Sequence, residues 1–100
     1  MKELKFNNSI FNEGINLTVR NGIKWAFVKS AFIAYLGYPI ELHRQIFKFS
    51  DLKNYSELLL DEHDPECRTY DGLLSVMKET YPDFNEDNIV TLIWFNTLEH

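Results

Sequence analysis

The chain reads as an α+β domain: a small curled β-sheet or barrel with two or three helices plugging one side. Three observations predict this. Strand-like runs with many β-branched and aromatic residues fill the first half, "INLTVR", "AFIAYLGY" and "IELHRQIFKF". Helical spacing follows, in "YSELLLDEH" and in Tyr70, Leu73, Leu74, Met77 and Tyr81. The last long run, "NIVTLIWF", is apolar on both faces and so belongs at the centre of a sheet.

Taken in order, Leu4–Phe6 suggests a short first strand. In "NNSIFNEG", Asn and Ser can cap a short helical turn that Gly14 ends. Residues 15–20 alternate Leu17 and Val19 against Thr18 and Arg20, which predicts a strand. Asn21-Gly22 is the strongest tight-turn signal, with "IKWAF" (23–27) as the returning arm of a hairpin. Residues 31–38 read as one strand bounded by Gly37 and Pro39, and 40–49 as another with imperfect alternation. Ser50 is a candidate N-cap for a helix reaching residue 63, which Pro65 stops. Thr69 or Asp71 caps a second helix, ended by Pro82. Residues 88–95 form the last strand.

One hundred residues, 45% of them hydrophobic, make a single domain over 1–97 with enough apolar material for a core. The single cysteine excludes an internal disulfide and points to a reducing compartment. No stretch has secretory or membrane-spanning character, so a soluble, cytoplasmic protein with no membrane partner is expected. Residues 98–100, "LEH", read as a tag remnant. The net charge of −5 disfavours non-specific binding to nucleic acid, so a nucleic-acid role needs a local basic face or a pocket for one base.

Chemistry-bearing residues concentrate in "LDEHDPECR" (60–68), which holds four carboxylates, a histidine and the cysteine. His63 and Cys67 have helical spacing for a metal, but Pro65 interrupts that helix and no second ligand pair exists, so no metal is expected. His63 is instead expected to cap a helix C-terminus, and Glu66 to favour the dipole of the next helix or to face a ligand. Thr18, Arg20 and Lys24 make a short polar strip in which Arg20 can clamp a phosphate and Thr18 can donate to a base or sugar. Trp25 is either a core residue or a stacking platform. Arg44 and Lys48 share a strand face that is either solvated or bound to single-stranded nucleic acid. No phosphate-binding glycine loop is present.

The run "LKFN", a short helical stretch, then Gly14 and a strand bearing Thr18 and Arg20 resembles the opening of ASCH domains. Tyr81-Pro82 and a final strand with Val90, Ile93 and Phe95 are similar to that family's closing segment. The resemblance spans residues 4–95 and implies a PUA-like fold with a cleft beside the Thr-x-Arg strand that binds RNA, a nucleoside or a nucleotide. Short members of that family include acetylcytidine amidohydrolases, and by that resemblance Glu66 and Thr18 stand at catalytic positions. The family's lysine has no counterpart, since Ile15 or Asn16 occupies its place. The sequence therefore supports, first, a binding module using Thr18, Arg20, Lys24, Trp25 and Glu66. Second comes an amidohydrolase acting on an acylated nucleoside, with Lys24 as a replacement base, and third a protein-interaction domain using a sheet edge. No cofactor is implied, and the sequence sets no oligomeric state.

Overall fold

The computed structural model describes every residue except Ser9, Glu99 and His100, so most of the expected tag remnant lies outside the described residues. The fold is α+β, with five strands in two antiparallel sheets: β1 (Ile15–Asn21), β2 (Ser30–Ile33), β3 (Tyr38–Glu41), β4 (His43–Lys48) and β5 (Ile89–Asn96). One α-helix, α1, spans Tyr70–Thr80, and three 3₁₀ turns cover Phe49–Asn54, Ser56–Asp61 and Pro65–Cys67. The sheets have the orders β1-β5-β4 and β2-β3 and do not close into a barrel.

The last strand is central, as its two apolar faces require. Val90 and Leu92 enter one core with Leu17, Val19, Phe49, Leu59, Leu73 and Met77. Ile93 and Phe95 enter a second core with Leu4, Trp25, Ile33, Ile40 and Leu42. Alternation along one strand thus feeds two cores, with α1 and the 3₁₀ turns on one side and the β2–β3 hairpin on the other.

Several expected elements differ, for local reasons. Asn21-Gly22 does not turn a hairpin. Gly22 takes a φ of 82°, but its N–H bonds to Ile89 O at 2.8 Å, extending the β1–β5 ladder. Residues 23–28 then curl through Ala26 N to Ile23 O (3.0 Å) and Val28 N to Trp25 O (3.2 Å). Pairing with β5 runs from Ile15↔Asn96 to Asn21↔Val90, far longer than the short arm 23–27 offers, and it buries both Leu17 and Val19. The expected strand 31–38 is a hairpin, β2–β3, reversed at Gly37 with φ 77° and with Pro39 opposite Phe32. The run 40–49 divides at Leu42, whose N–H still bonds to Lys29 O at 2.8 Å in the β2–β3 register, whereas from His43 the chain pairs with β5 instead. That break explains its imperfect alternation.

Residues 55–63 do not form an α-helix. Neither of the first two 3₁₀ turns has a side-chain cap, and Tyr55 breaks them apart at φ −132°, ψ 35°. Ser50 lies inside the first turn rather than capping it. No helical turn forms over the described part of 7–14, and Leu4–Phe6 is not a strand, the only pairing nearby among the described residues being the isolated bridge of Glu3 to Phe32. Thr69 does cap α1, its hydroxyl accepting from Gly72 N at 3.1 Å, and Tyr81 is the C-cap before Pro82. Among the described residues no helix is long and apolar enough to cross a membrane.

Candidate functional site

β1 is an edge strand of its sheet, so its outer backbone groups need partners. The acidic corner supplies one. Asp64 precedes Pro65 and is therefore extended (φ −93°, ψ 117°), and Glu62 is extended as well (φ −56°, ψ 131°). This short extended run bridges Leu17 in parallel fashion, with His63 N donating to Leu17 O at 3.0 Å. Arg68 locks it from behind, Nε to Glu62 O at 2.9 Å and Nη2 to Asn12 Oδ1 at 2.8 Å. Strand backbone groups alternate in direction, so the N–H and C=O of Val19 point the same way as the Leu17 carbonyl, just beyond the corner. There the edge opens into a cavity of about 500 Å³.

Thr18, Val19 and Arg20 form one wall of this cavity, and Glu62, His63 and Asp64 another. Leu73, Val76, Met77 and Tyr81 from α1 and its C-cap give an apolar side, and Lys5 and Phe6 a rim. Arg20 is held in place, with Nε donating to Thr18 Oγ1 at 3.2 Å and Nη2 to Lys5 O, while its guanidinium lies 4.9 Å from the Phe6 ring centre. Its Nη1 makes no hydrogen bond among the described residues. Burial lowers the Arg20 pKa, against the opposing pull of Tyr81 and Glu62.

Glu62 and His63 form a pair at 3.3 Å, Oε1 to Nε2, with side chains only 3% and 8% exposed. Burial is the largest influence on Glu62 and pushes its carboxyl up to about 8, although the Asp64 N–H and the charges of Arg20 and Arg68 pull it down. Burial also lowers the pKa of His63. Both groups therefore favour neutrality near pH 7, and the pair holds one proton. His63 Nδ1 is 2.9 Å from Ile10 O and must donate to that carbonyl, which leaves Nε2 to accept from Glu62 Oε1–H. Glu62 Oε2 makes no hydrogen bond, yet no buried side-chain polar atom among the described residues lacks a partner. Glu62 lines the cavity, and Oε2 is its unpaired acceptor.

The sequence-predicted residues divide. Thr18 and Arg20 line the cavity beside the acidic corner. Glu66 does not: its side chain is exposed and outside the cavity lining, in the 3₁₀ turn that Asp64 caps at 3.0 Å. The carboxylate facing Thr18 and Arg20 is Glu62. Lys24 is exposed, with its carbonyl accepting from Lys2 Nζ at 3.4 Å. Trp25 is 7% exposed within the hairpin-side core. Neither reaches the cleft. His63 is not a helix cap but the partner of Glu62. Cys67 lines the cavity with its thiol pushed up to about 12, chiefly by burial, and so is not a ready nucleophile. The one sequence signal near Glu62 and His63 was Pro65, which drives Asp64 toward extended backbone and so argues against a helix continuing through the corner. That constraint favours an edge-bridging strand over the end of a helix. Among the described residues no three His, Cys, Asp or Glu side chains group to hold a metal.

The chain matches no protein-family model, no curated protein and no solved structure.

Proposed function

We propose that the cleft binds the base of a nucleoside, free or within RNA, and that Glu62 rather than Glu66 is the carboxyl that reads it. The observation that carries this reading is that one cavity is bordered by Thr18, Arg20 and the buried Glu62, whose carboxyl burial pushes up to about 8. A neutral carboxyl hydrogen-bonded to His63 presents Oε2 as an acceptor without burying a charge against an uncharged base. Cytosine offers an N4 amino donor to that acceptor. Arg20 Nη1 is a donor for a carbonyl or phosphate oxygen, and the Val19 amide edge supplies one more donor and acceptor. Met77, Val76 and Tyr81 give an apolar face for the ring. The ASCH-like motifs are consistent with this use of the Thr-x-Arg strand.

A second reading, hydrolysis of an acylated nucleoside, is favoured by one observation. The Glu62–His63 pair shares a proton at a wall of the cleft, which suits a general acid or base, and Lys5 stands on the rim where Lys24 does not. One experiment serves both. Amide NMR spectra are recorded while cytidine, cytidine monophosphate and acetylcytidine are added in turn. Binding should move the signals of Thr18, Val19, Arg20 and Glu62, and Arg20→Ala should weaken the monophosphate about tenfold or more, the loss of one charge-assisted contact. Acetate release from acetylcytidine, abolished by Glu62→Gln, would promote the second reading. A spectrum whose cleft signals stay still with all three ligands would reject both.

A further inference from the structure

We propose that a second surface, built by the loop 22–29 and the start of β4, carries the phosphate backbone of a single-stranded RNA whose base occupies the cleft. This inference rests on the nucleoside-binding reading of the cleft and extends it from a free nucleoside to a polynucleotide.

Charge is distributed unevenly along the chain. Residues 1–44 contain six Lys and Arg against three Asp and Glu, whereas residues 45–100 contain four against twelve. The net value of −5 therefore hides a positive first part. Ion pairing sharpens the contrast. Lys48 and Lys53 meet Asp87 and Glu86 at 3.5 Å, but among the described residues no Lys or Arg of 1–44 lies within 4.0 Å of a carboxylate oxygen. Arg20 and Arg44 donate to backbone carbonyls, but the exposed Lys24 and Lys29 side chains have no partner among the described residues and can meet an anion from outside.

The fold gathers them. Lys2 Nζ reaches the Lys24 carbonyl, Leu42 N bonds to Lys29 O at 2.8 Å, and Arg44 Nε bonds to Ala26 O at 3.3 Å. Lys29 at the loop's end and His43 and Arg44 of β4 line a groove of about 690 Å³ with residues of the β2–β3 hairpin. Glu41 also lines it, 3.9 Å from His43, and so offsets part of that charge. Phe27 stands at the loop tip, 82% exposed, where a ring gains nothing from the core and is available for stacking on an unpaired base. The segment from Lys2 to Phe6 joins this face to the cleft, since Lys2 contacts the loop and the Lys5 carbonyl holds Arg20. Cations beside an exposed aromatic ring are what single-stranded nucleic acid requires, and the flexible strand can follow a path from groove to cleft.

The test uses fluorescence anisotropy with a labelled oligocytidylate of about ten nucleotides, a length of the order that one small binding fold covers. Free cytidine is measured in parallel by NMR, and a phosphatidylserine vesicle serves as the alternative anion. The variants are Lys24→Glu with Lys29→Glu, Phe27→Ala, and Lys53→Glu as a control on the acidic part. The proposal expects the double reversal to weaken the oligonucleotide about tenfold or more and to flatten its salt dependence, because each lost phosphate contact removes about one counterion. Cytidine binding should be unchanged, and Lys53→Glu should have little effect. Cytidine binding in the cleft with oligonucleotide affinity indifferent to the double reversal would overturn this inference and leave the cleft reading standing. Oligonucleotide binding with no response to cytidine would overturn the cleft reading, and with it a strand spanning both surfaces. Vesicle binding that the double reversal abolishes, with no oligonucleotide binding, would assign the face to a membrane surface and overturn the proposal.

Discussion

The two ends of the acidic corner use the same amino acid to opposite ends. Glu62 and Glu66 are four positions apart. The first is 2% exposed, strapped to β1 through the neighbouring His63 amide, and its carboxyl is pushed up to about 8 by burial. The second is exposed on a 3₁₀ turn, and what matters about it is its backbone: its carbonyl oxygen lies where a Cβ on Gly72 would be, 2.1 Å away. The difference shows that a carboxylate's chemistry is set by what its backbone is tied to. Pairing with a strand edge buries the first, while a turn capped by Asp64 leaves the second in solvent.

The largest effect should come from removing the packing that seats the buried end. Leu59 is fully buried, and its carbonyl accepts from Glu62 N at 3.0 Å. Leu59→Ala should cost about 2–5 kcal/mol in denaturant unfolding. At the exposed end, Gly72→Ala should cost about 1–3 kcal/mol through the clash with the Glu66 carbonyl, since backbone rather than a flexible side chain must move.

Protonation sharpens the comparison further. A raised Glu62 pKa means that the folded state holds a proton the unfolded state releases, so its contribution falls as pH rises from about 4.5 to about 8. The lowered His63 pKa acts oppositely, its contribution rising with pH until about 6.5. The two oppose each other below about 6.5, and above it only the loss from Glu62 remains. Stability should therefore drop between about pH 6.5 and 8, by roughly 2 kcal/mol at 1.4 kcal/mol per pKa unit. Glu62→Gln should abolish that drop and leave the rise below pH 6.5, as read by urea midpoints across the range. The smallest effect belongs to Glu66→Gln, under about 0.5 kcal/mol in stability, with cytidine binding unchanged.

The central strand, the α1 stripe and its Thr69 cap were legible because each is fixed by local pattern: two apolar faces, helical spacing and a hydroxyl before the first turn. The Thr18/Arg20 wall was legible for the same reason, as the alternate face of β1. The course of the chain after Asn21-Gly22 was not, because turn chemistry says only that the chain can bend there and not that a hairpin closes. The competing partner, β5, is about seventy residues away, as the pair Arg20↔Thr91 marks. Glu62 was missed in favour of Glu66 for a related reason. Glu66 was singled out by its place in the ASCH-like pattern, and helical spacing kept Glu62 inside an expected helix, whereas Asp64 before Pro65 is extended and Glu62 bridges the open edge of β1. Trp25 and Lys24 were grouped with Arg20 only through the hairpin that does not form.

A carbon-13 NMR titration of the Glu62 carboxyl tests the central claim most directly, with assignment secured by loss of the signal in Glu62→Gln. A midpoint close to 8 is expected for a carboxyl pressed into the cleft beside His63. A midpoint at the ordinary value near 4.5 would mean that Glu62 is solvated and ionised, and that the cleft does not present the neutral acceptor on which the functional reading depends.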